Sequence, residues 1–365
     1  MATGRVKAVL HPISFDFQTE LNRWGQGSMT LNARDVTLDD VFPRRTSIYI
    51  IRLTDPSSID GHVAFAGYVE KLTASSTTEV TLGLQEITEY LDHRIIRDET
   101  EYTGLPQTMI AADLVNQVVA GAIPLSGVDE GSTVYRDRTY EEFDFEFLGK
   151  KLMELADSGD PEDEEAYAPG PDWFLTHDRY GGQWSTQVHF TDRAGVDRDY
   201  TIQSDREAFE YALDIDAAAH ATYVAGLGAG EEWDMLVSEV DDFANTIYPR
   251  FDSTQSYKTT YDENELDQLT QGYLSQNREP VAVPSFNIVG DYPAPADLLL
   301  GDVFHVKLDW GLLAYSGDVR LVKLAWRVAA EVGDIRTVEV TPEGGRPSDL
   351  LTALAPTGAA DCEDC

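Results

Sequence analysis

Apolar residues near the start of the chain recur at every second position over short runs, the period of a half-buried strand. Residues 5–11, 28–33, 47–53, 62–72 and 79–84 carry the pattern, broken at Gly25-Gln26-Gly27, Asp55-Pro56 and Asp60-Gly61. Short strands at that spacing predict a barrel or sandwich with Trp24 and Phe65 in its core. The period then changes. Ile87, Tyr90 and Leu91 form a short helical face that closes this unit. Ile110, Leu114 and Val118 predict a helix over 108–120 capped by Thr108, and Leu148, Leu152 and Leu155 another over 145–156 capped by Asp144.

Residues 157–171 are rich in Asp, Glu, Gly and Pro and read as a solvated acidic loop. Residues 173–176, 187–190 and 199–203 read as a small antiparallel sheet with a turn at Arg179-Tyr180-Gly181-Gly182, and 217–230 as a small-residue connection. Over 237–248, Phe243-Ala244-Asn245 precedes a strand. Leu266, Leu269, Tyr273 and Leu274 define an amphipathic helix that begins near Asp262 and stops before Pro280. Strands return at 281–289, 303–308, 312–315, 319–328 and 335–340, with turns at Gly290-Asp291, Gly301-Asp302, Ser316-Gly317-Asp318 and Gly333-Asp334. The fold class is therefore α+β and β-rich, and two barrels around an inserted α+β unit would account for the layout. The expected division is a first barrel over 1–100, a mixed unit over 101–248, a helix plus second barrel over 249–341, and a tail over 342–365.

Composition changes the picture of the surface. The 365 residues are 42% hydrophobic, enough to fold as several small units, yet carry a net charge of −38. Aspartate (38) outnumbers glutamate (27), and lysine (7) is scarcer than arginine (20). Such a surface excludes a groove that grips phosphates and repels itself at low ionic strength, a penalty that molar salt removes. The bias is similar to that of haloarchaeal proteins and their viruses; an ordinary acidic protein is the alternative. With neither an apolar leader nor an apolar run of membrane-spanning length, a soluble product without signal peptide or membrane insertion is expected. Cys362 and Cys365 leave no disulfide framework. They form half of a four-ligand zinc site, so they are either a reduced tail or a site completed by a neighbouring subunit.

No constellation for catalysis stands out. The chain lacks a GxSxG elbow, HExxH, Walker A or a GxGxxG in the right context. Histidines 11, 62, 93, 177, 189, 220 and 305 are scattered singly. His177, beside Asp178, and His189 could approach across a hairpin, where two histidines are more often ordinary neighbours than metal ligands. Asp157, Asp160, Glu162 and Asp163 crowd together, but their spacing fails the EF-hand pattern and Pro161 interrupts it. A glycosidase needs two facing carboxyl groups, which abundance alone does not single out. The expectation is a non-enzyme, with no catalytic, cofactor-binding or metal residue and no cofactor.

Four stretches carry a resemblance to a known family. Ala64-Phe65-Ala66-Gly67-Tyr68-Val69 resembles its f-x-G-x-V step, and Leu91-Asp92-His93-Arg94-Ile95-Ile96 its L-x-x-R-x-I turn. Asp242-Phe243-Ala244-Asn245-Thr246-Ile247-Tyr248 resembles its aspartate, apolar, Ala-Asn, apolar strand. The helix with Leu266 and Leu269 leads through Arg278-Glu279-Pro280 to Leu300-Gly301-Asp302-Val303, similar to a "helix, R-x-P, strand, L-G-D-V" succession. The family is that of tailed-virus tail hubs: baseplate hubs of contractile tails, the N-terminal part of tail-associated lysins, and hub-like minor tail proteins of siphophages. The resemblance spans about residues 45 to 341. It implies two small β-barrel domains flanking α+β insertions, assembled as a homotrimer whose pseudo-sixfold ring joins a sixfold tail tube or distal tail ring to a threefold tip.

The implied role is structural, as part of the DNA conduit at the virion's tail tip, assembled in the host cytoplasm. Implied partners are the distal tail protein ring, the tail tube, the tape-measure protein, and tip or fibre proteins, without sequence-specific nucleic-acid binding. Where hubs continue into a fibre or peptidase domain this sequence has only 355–365, so an adaptor is expected rather than a lysin. A distal tail or receptor-binding tail protein is the alternative, and a hydrolase the third.

Overall fold

The computed structural model of the chain describes residues 6, 8–37, 40–53, 61–74, 78–119, 123–142, 144–158, 170–180, 183–204, 206, 208–242, 248–278, 280–289, 298–310, 313–329 and 333–342. The expected acidic loop lies outside these at 159–169, as do Cys362 and Cys365.

The first unit is an antiparallel sheet in the order β1-β2-β5-β4-β3, formed by β1 (Ser14–Glu20), β2 (Gln26–Asn32), β3 (Ser47–Leu53), β4 (Gly61–Thr73) and β5 (Glu79–Glu86). Strict alternation builds it: Val80, Leu82, Leu84 and Glu86 of β5 all point inward. Phe17, Leu31, Phe65, Val69 and Leu82 form its core, and Trp24 stacks on Trp173 at 5.2 Å. The strand expected over 5–11 is not formed in its described residues, and the first strand starts instead at Ser14. Pro12 has no N–H for a ladder, so pairing begins only at Ile13, whose N donates to the Thr30 carbonyl at 2.8 Å. A 3-10 helix over Ile87–His93 closes the unit with Ile87 and Leu91 buried.

The middle of the chain contains β6 (Thr100–Pro106), α1 (Gln107–Val119), β7 (Leu125–Asp129), β8 (Tyr135–Tyr140), α2 (Leu148–Ala156), β9 (Asp172–Tyr180) and β10 (Gln183–Thr191). β10 is antiparallel to β9 and parallel to β7, while β6 pairs with β8. Neither expected cap is used. Thr108 lies buried inside α1, which follows β6 directly, and the Gln107 N–H donates to the Val134 carbonyl at 3.0 Å. α2 starts at Leu148 behind Phe147, with no side-chain cap.

Six further strands and a helix follow: β11 (Asp197–Gln203), β12 (Ala208–Asp216), β13 (Tyr223–Leu227), β14 (Val237–Asp241), β15 (Asp252–Ser256), α3 (Glu263–Asn277) and β16 (Val281–Val289). Asp262 caps α3 as expected, its Oδ1 accepting from the Glu265 N–H at 2.9 Å. The connection expected over 217–230 contains β13, and its small residues have a packing reason. A Cβ at Gly226 would lie 2.0 Å from Thr270 Oγ1 of α3, so the helix can cover this sheet only over glycine. β11, expected beside β9 and β10, instead runs parallel to β17 (Val303–Trp310).

The turn expected at 316–318 is absent: residues 313–329 form one strand, β18 (Leu313–Ala329), with Gly317 opposite Val306 and Asp318 opposite His305. This strand joins the two ends of the molecule. Its first half pairs with β17, its second half with β1, and its other edge with β19 (Gly333–Pro342). Phe17 faces Trp326 across the β1–β18 pairing, and Trp326 belongs to the first unit's core. An eleven-stranded sheet results, in the order β12-β16-β19-β18-β1-β2-β5-β4-β3 with β17 and β11 branching from β18. The pairing thus cuts across the division at 248/249: β11 and β12 join the C-terminal strands, whereas α3 packs on β13 and β14.

Candidate assembly site

The distant parts of the chain meet at one polar joint. Asn22, in the left-handed region (φ 58°) after β1, donates from Nδ2 to Asp172 Oδ1 at 2.9 Å and accepts from the Trp173 N–H at 3.0 Å. Asp172 is buried at the start of β9. Its Oδ2 accepts from the Ala194 N–H at 2.9 Å and from the Arg320 guanidinium, which also donates to the Ala194 and Gly301 carbonyls at 2.9 and 3.3 Å. Asp302, 1% exposed, accepts from the Val196 and Leu299 N–H groups at 3.0 and 3.2 Å and from Arg198 Nε at 2.8 Å. Between the two carboxylates, Gly195 (φ 89°) lies against Gly301 (φ 86°); a Cβ at Gly195 would sit 2.0 Å from the Gly301 carbonyl carbon. Only glycine combines that conformation with that approach.

A second joint docks α3 on β8. Arg136 and Arg138, each 3% exposed, donate to Gln268 Oε1 at 3.0 and 2.9 Å, and Arg138 Nε lies 3.6 Å from Glu265. Burial raises the Glu265 pKa while the Arg138 charge opposes the shift. Both joints hold neighbouring parts of the chain in register.

His177 bonds Thr186 at 3.1 Å, and His189 is held by Thr176 and Glu130 at 2.8 and 2.6 Å. Opposite His177 stands Thr186 and opposite His189 stands Phe174, so the hairpin keeps the two rings apart. Among the described residues no group of three His, Cys, Asp or Glu is placed to hold a metal. Sequence reading missed one alignment. Ser316 Oγ lies 3.4 Å from His305 Nε2, and His305 Nδ1 lies 2.9 Å from Asp318 Oδ1. The order is that of a hydrolytic relay, but Ser316 is exposed on a regular strand and Asp318 is 57% exposed. The site lacks the exclusion of water that gives such a relay its strength.

Glu86 is a fully buried carboxyl at the end of β5. Burial pushes its carboxyl up to about 7, against the hydrogen bonds from the Gly25 N–H and Thr88 Oγ1. Its folded pKa lies above the ordinary 4.5, so the contribution to stability is complete below about pH 4.5 and lost as pH rises through about 7. At about 1.4 kcal/mol per pH unit, the change is roughly 3 kcal/mol. Glu86→Gln, which keeps an acceptor oxygen, should therefore match the parent near pH 4 and exceed it by up to about 3 kcal/mol at pH 8. Denaturant melts at the two pH values check this; an identical pH dependence in both proteins would contradict it.

The stretches that resemble tail hubs fall at structural joints. Phe65, Ala66, Tyr68 and Val69 are buried in β4, and a Cβ at Gly67 would lie 2.2 Å from the Gln85 carbonyl. Arg94 donates to the Val118 carbonyl at the end of α1 at 2.7 Å, where a cation also suits the helix dipole. Gly301-Asp302 forms half of the central joint. The Asp242-Phe243-Ala244-Asn245 stretch lies outside the described residues from 243 to 247. Among the described residues the hydrogen-bonded order ends at β3 and β12, and the branch through β17 ends at β11. Among the described residues no helix is long and apolar enough to cross a membrane.

No family model matches the sequence, and no curated protein does. Solved structures do. The 43 kDa tail protein of prophage MuSo2 from Shewanella oneidensis is similar over 92% of this chain and 95% of its own, with a TM-score of 0.60 at 10% identity. A tail protein from Neisseria meningitidis is similar over 93% and 94%, with a TM-score of 0.60 at 12% identity. The c3393 protein of E. coli is described as a component of the type VI secretion system with structural similarity to the T4 bacteriophage tail proteins gp27 and gp5. It is similar over 92% of this chain and 75% of its own, with a TM-score of 0.51 at 10% identity. At these identities the likeness is one of fold, and the chain has the β-rich α+β fold of phage tail proteins.

Proposed function

We propose that this chain is a structural virion protein, the trimeric hub of a tail tip or baseplate. It joins a sixfold tail tube or distal tail ring to a threefold tip and lines part of the DNA conduit. The observation that carries this reading is the likeness of fold to the Shewanella tail protein over 92% of one chain and 95% of the other. The direct β1–β18 pairing supports it as well, because it makes the two strand-rich ends one hydrogen-bonded sheet that could present both to a common axis. A conduit wall must let DNA slide, and a surface drawn from a chain of net charge −38 repels phosphate instead of trapping it. The reading places residues from about 5 to 100 and 280 to 341 alternately around the ring. Partners above and below it are the tail tube, distal tail ring, tape-measure, and tip or fibre proteins.

Native mass measurement of the assembled protein tests the reading. Three copies are expected. Six would favour a distal tail protein, and a monomer under assembly conditions would overturn the hub. In a structure of the assembly, a positively charged lumen would overturn the conduit even if three copies were found.

A further inference from the structure

The connection between β13 and β14 ends in a tryptophan that the fold leaves almost wholly in water. Trp233 is 97% exposed, and Val237, at the first rung of β14, is 48% exposed. Val237 faces away from α3, since its neighbour Ser238 is buried and Leu227 opposite it alternates with Gly226, which the helix covers. The tip is not a loose loop. The Gly228 N–H donates to the Leu236 carbonyl at 2.9 Å, the Leu236 N–H to Ala229 at 2.9 Å, and the Ala229 N–H to Thr260 at 2.8 Å. Gly230 takes φ 101°, where a Cβ would meet the Asp234 carbonyl at 2.3 Å, and Glu232 takes φ 50°. A glutamate in that region is uncommon. Here the constrained turn carries an aromatic ring outward.

The charge around the tip selects the occupant. Glu231, Glu232 and Asp234 flank Trp233 and are exposed, and the β13–β14 hairpin, residues 223–241, contains five Asp or Glu and no Lys or Arg. A second copy carries the same net charge of −38 and would meet these acids with a surface poor in Lys and Arg, and nucleic acid or an anionic bilayer would be repelled likewise. We propose that the β13–β14 tip is a docking knob, with Trp233 inserted into an apolar pocket of a different protein chain whose rim carries Lys or Arg. A rigid aromatic with few torsions loses little entropy on insertion, which is why tryptophan is over-represented among the residues that dominate interfaces. The flanking carboxylates then discriminate between partners more than they bind. The proposal depends on the tail-protein reading only for where the partner is sought, namely among the other proteins of the particle.

A photoreactive phenylalanine analogue placed at position 233 tests it, read both in producing cells and in purified particles. A cross-link to one other protein species is expected, at a site bordered by Lys or Arg, with the yield reduced at least tenfold when Glu231, Glu232 and Asp234 are replaced together by Lys. Hydroxyl-radical oxidation of native Trp233 should likewise fall at least tenfold between the isolated chain and the particle. Trp233→Ala should keep the melting temperature of the parent, because the ring is outside every core, and lose incorporation into particles. A cross-link to a second copy, to lipid or to nucleic acid would overturn the proposal, and so would an oxidation rate unchanged by assembly or no cross-link in either setting. Absence of the chain from particles alongside a heterologous cross-link in cells would count against the tail reading and for the knob.

Discussion

Asp172→Ala is expected to lower the unfolding free energy by roughly 3–5 kcal/mol, the usual cost of removing one partner from a buried, hydrogen-bonded ion pair. The carboxylate accepts from Asn22, Ala194 and Arg320, so its loss takes the acceptor from an amide and a backbone N–H and leaves the Arg320 charge with only the Ala194 and Gly301 carbonyls. Arg320 is 19% exposed at its side chain, too enclosed for water to replace the lost partner fully. Asp172→Asn should cost less, since it keeps acceptor oxygen for one or two of the three donors. Because the three donors come from the first, middle and last parts of the chain, unfolding of the Ala variant should also become broader in denaturant, as the parts lose their coupling. Chemical denaturation followed by tryptophan fluorescence and by circular dichroism checks both. A loss below about 1 kcal/mol, the range of an exposed pair, would show that the joint contributes little.

The melting temperature is expected to rise by about 10 °C or more between 0.1 M and molar NaCl. Over that interval the Debye length contracts from about 10 to about 3 Å, so repulsion among surface carboxylates is screened while the buried pairs at Asp172 and Asp302 are not. For a chain of this size about 2–4 °C corresponds to 1 kcal/mol, so the shift amounts to several kcal/mol of relieved repulsion. The motive is a net charge of −38 with seven lysines. Exposed pairs such as Arg44–Glu70 and Arg250–Asp252 are too few and too solvated to offset it. Sucrose at matched osmolality serves as the control for general solute exclusion. Equal melting temperatures at the two salt concentrations would refute the salt-adapted reading.

How much of this was legible in the chain depends on how far apart the determining residues lie. β4 and β5 could be read from alternation alone, and α3 from Asp262 and the spacing of Leu266, Leu269, Tyr273 and Leu274, because period and capping act within a few residues. β15 was not legible, since Asp252–Ser256 has no apolar side chains and is a strand only because β13 offers it an edge. β13 was hidden by its own packing: small residues that read as a linker are small because α3 lies on them. Ser316-Gly317-Asp318 has turn composition, but β17 supplies a ladder along it, and pairing overrides local preference.

The candidate assembly site divides in the same way. Gly67 and Gly301-Asp302 stood out as marks, but the Gln85 carbonyl and the Gly195 backbone that require them are brought there by the fold. Asp172 and Arg320, 148 residues apart, carried no signal in a sequence with 38 aspartates. The amino-acid sequence by itself determined the β-rich class, the order of strands, mixed segment and strands, the acidic surface, and the absence of the common catalytic motifs. The tertiary structure decided that the two ends share one sheet through β18, that α3 belongs to β13 and β14, and that Asp172, Arg320 and two glycines lock three parts together. The physical reason is that strand partnership and backbone close approach depend on which edges and surfaces meet in space. Hydrophobic period and local capping constrain those meetings but do not specify them.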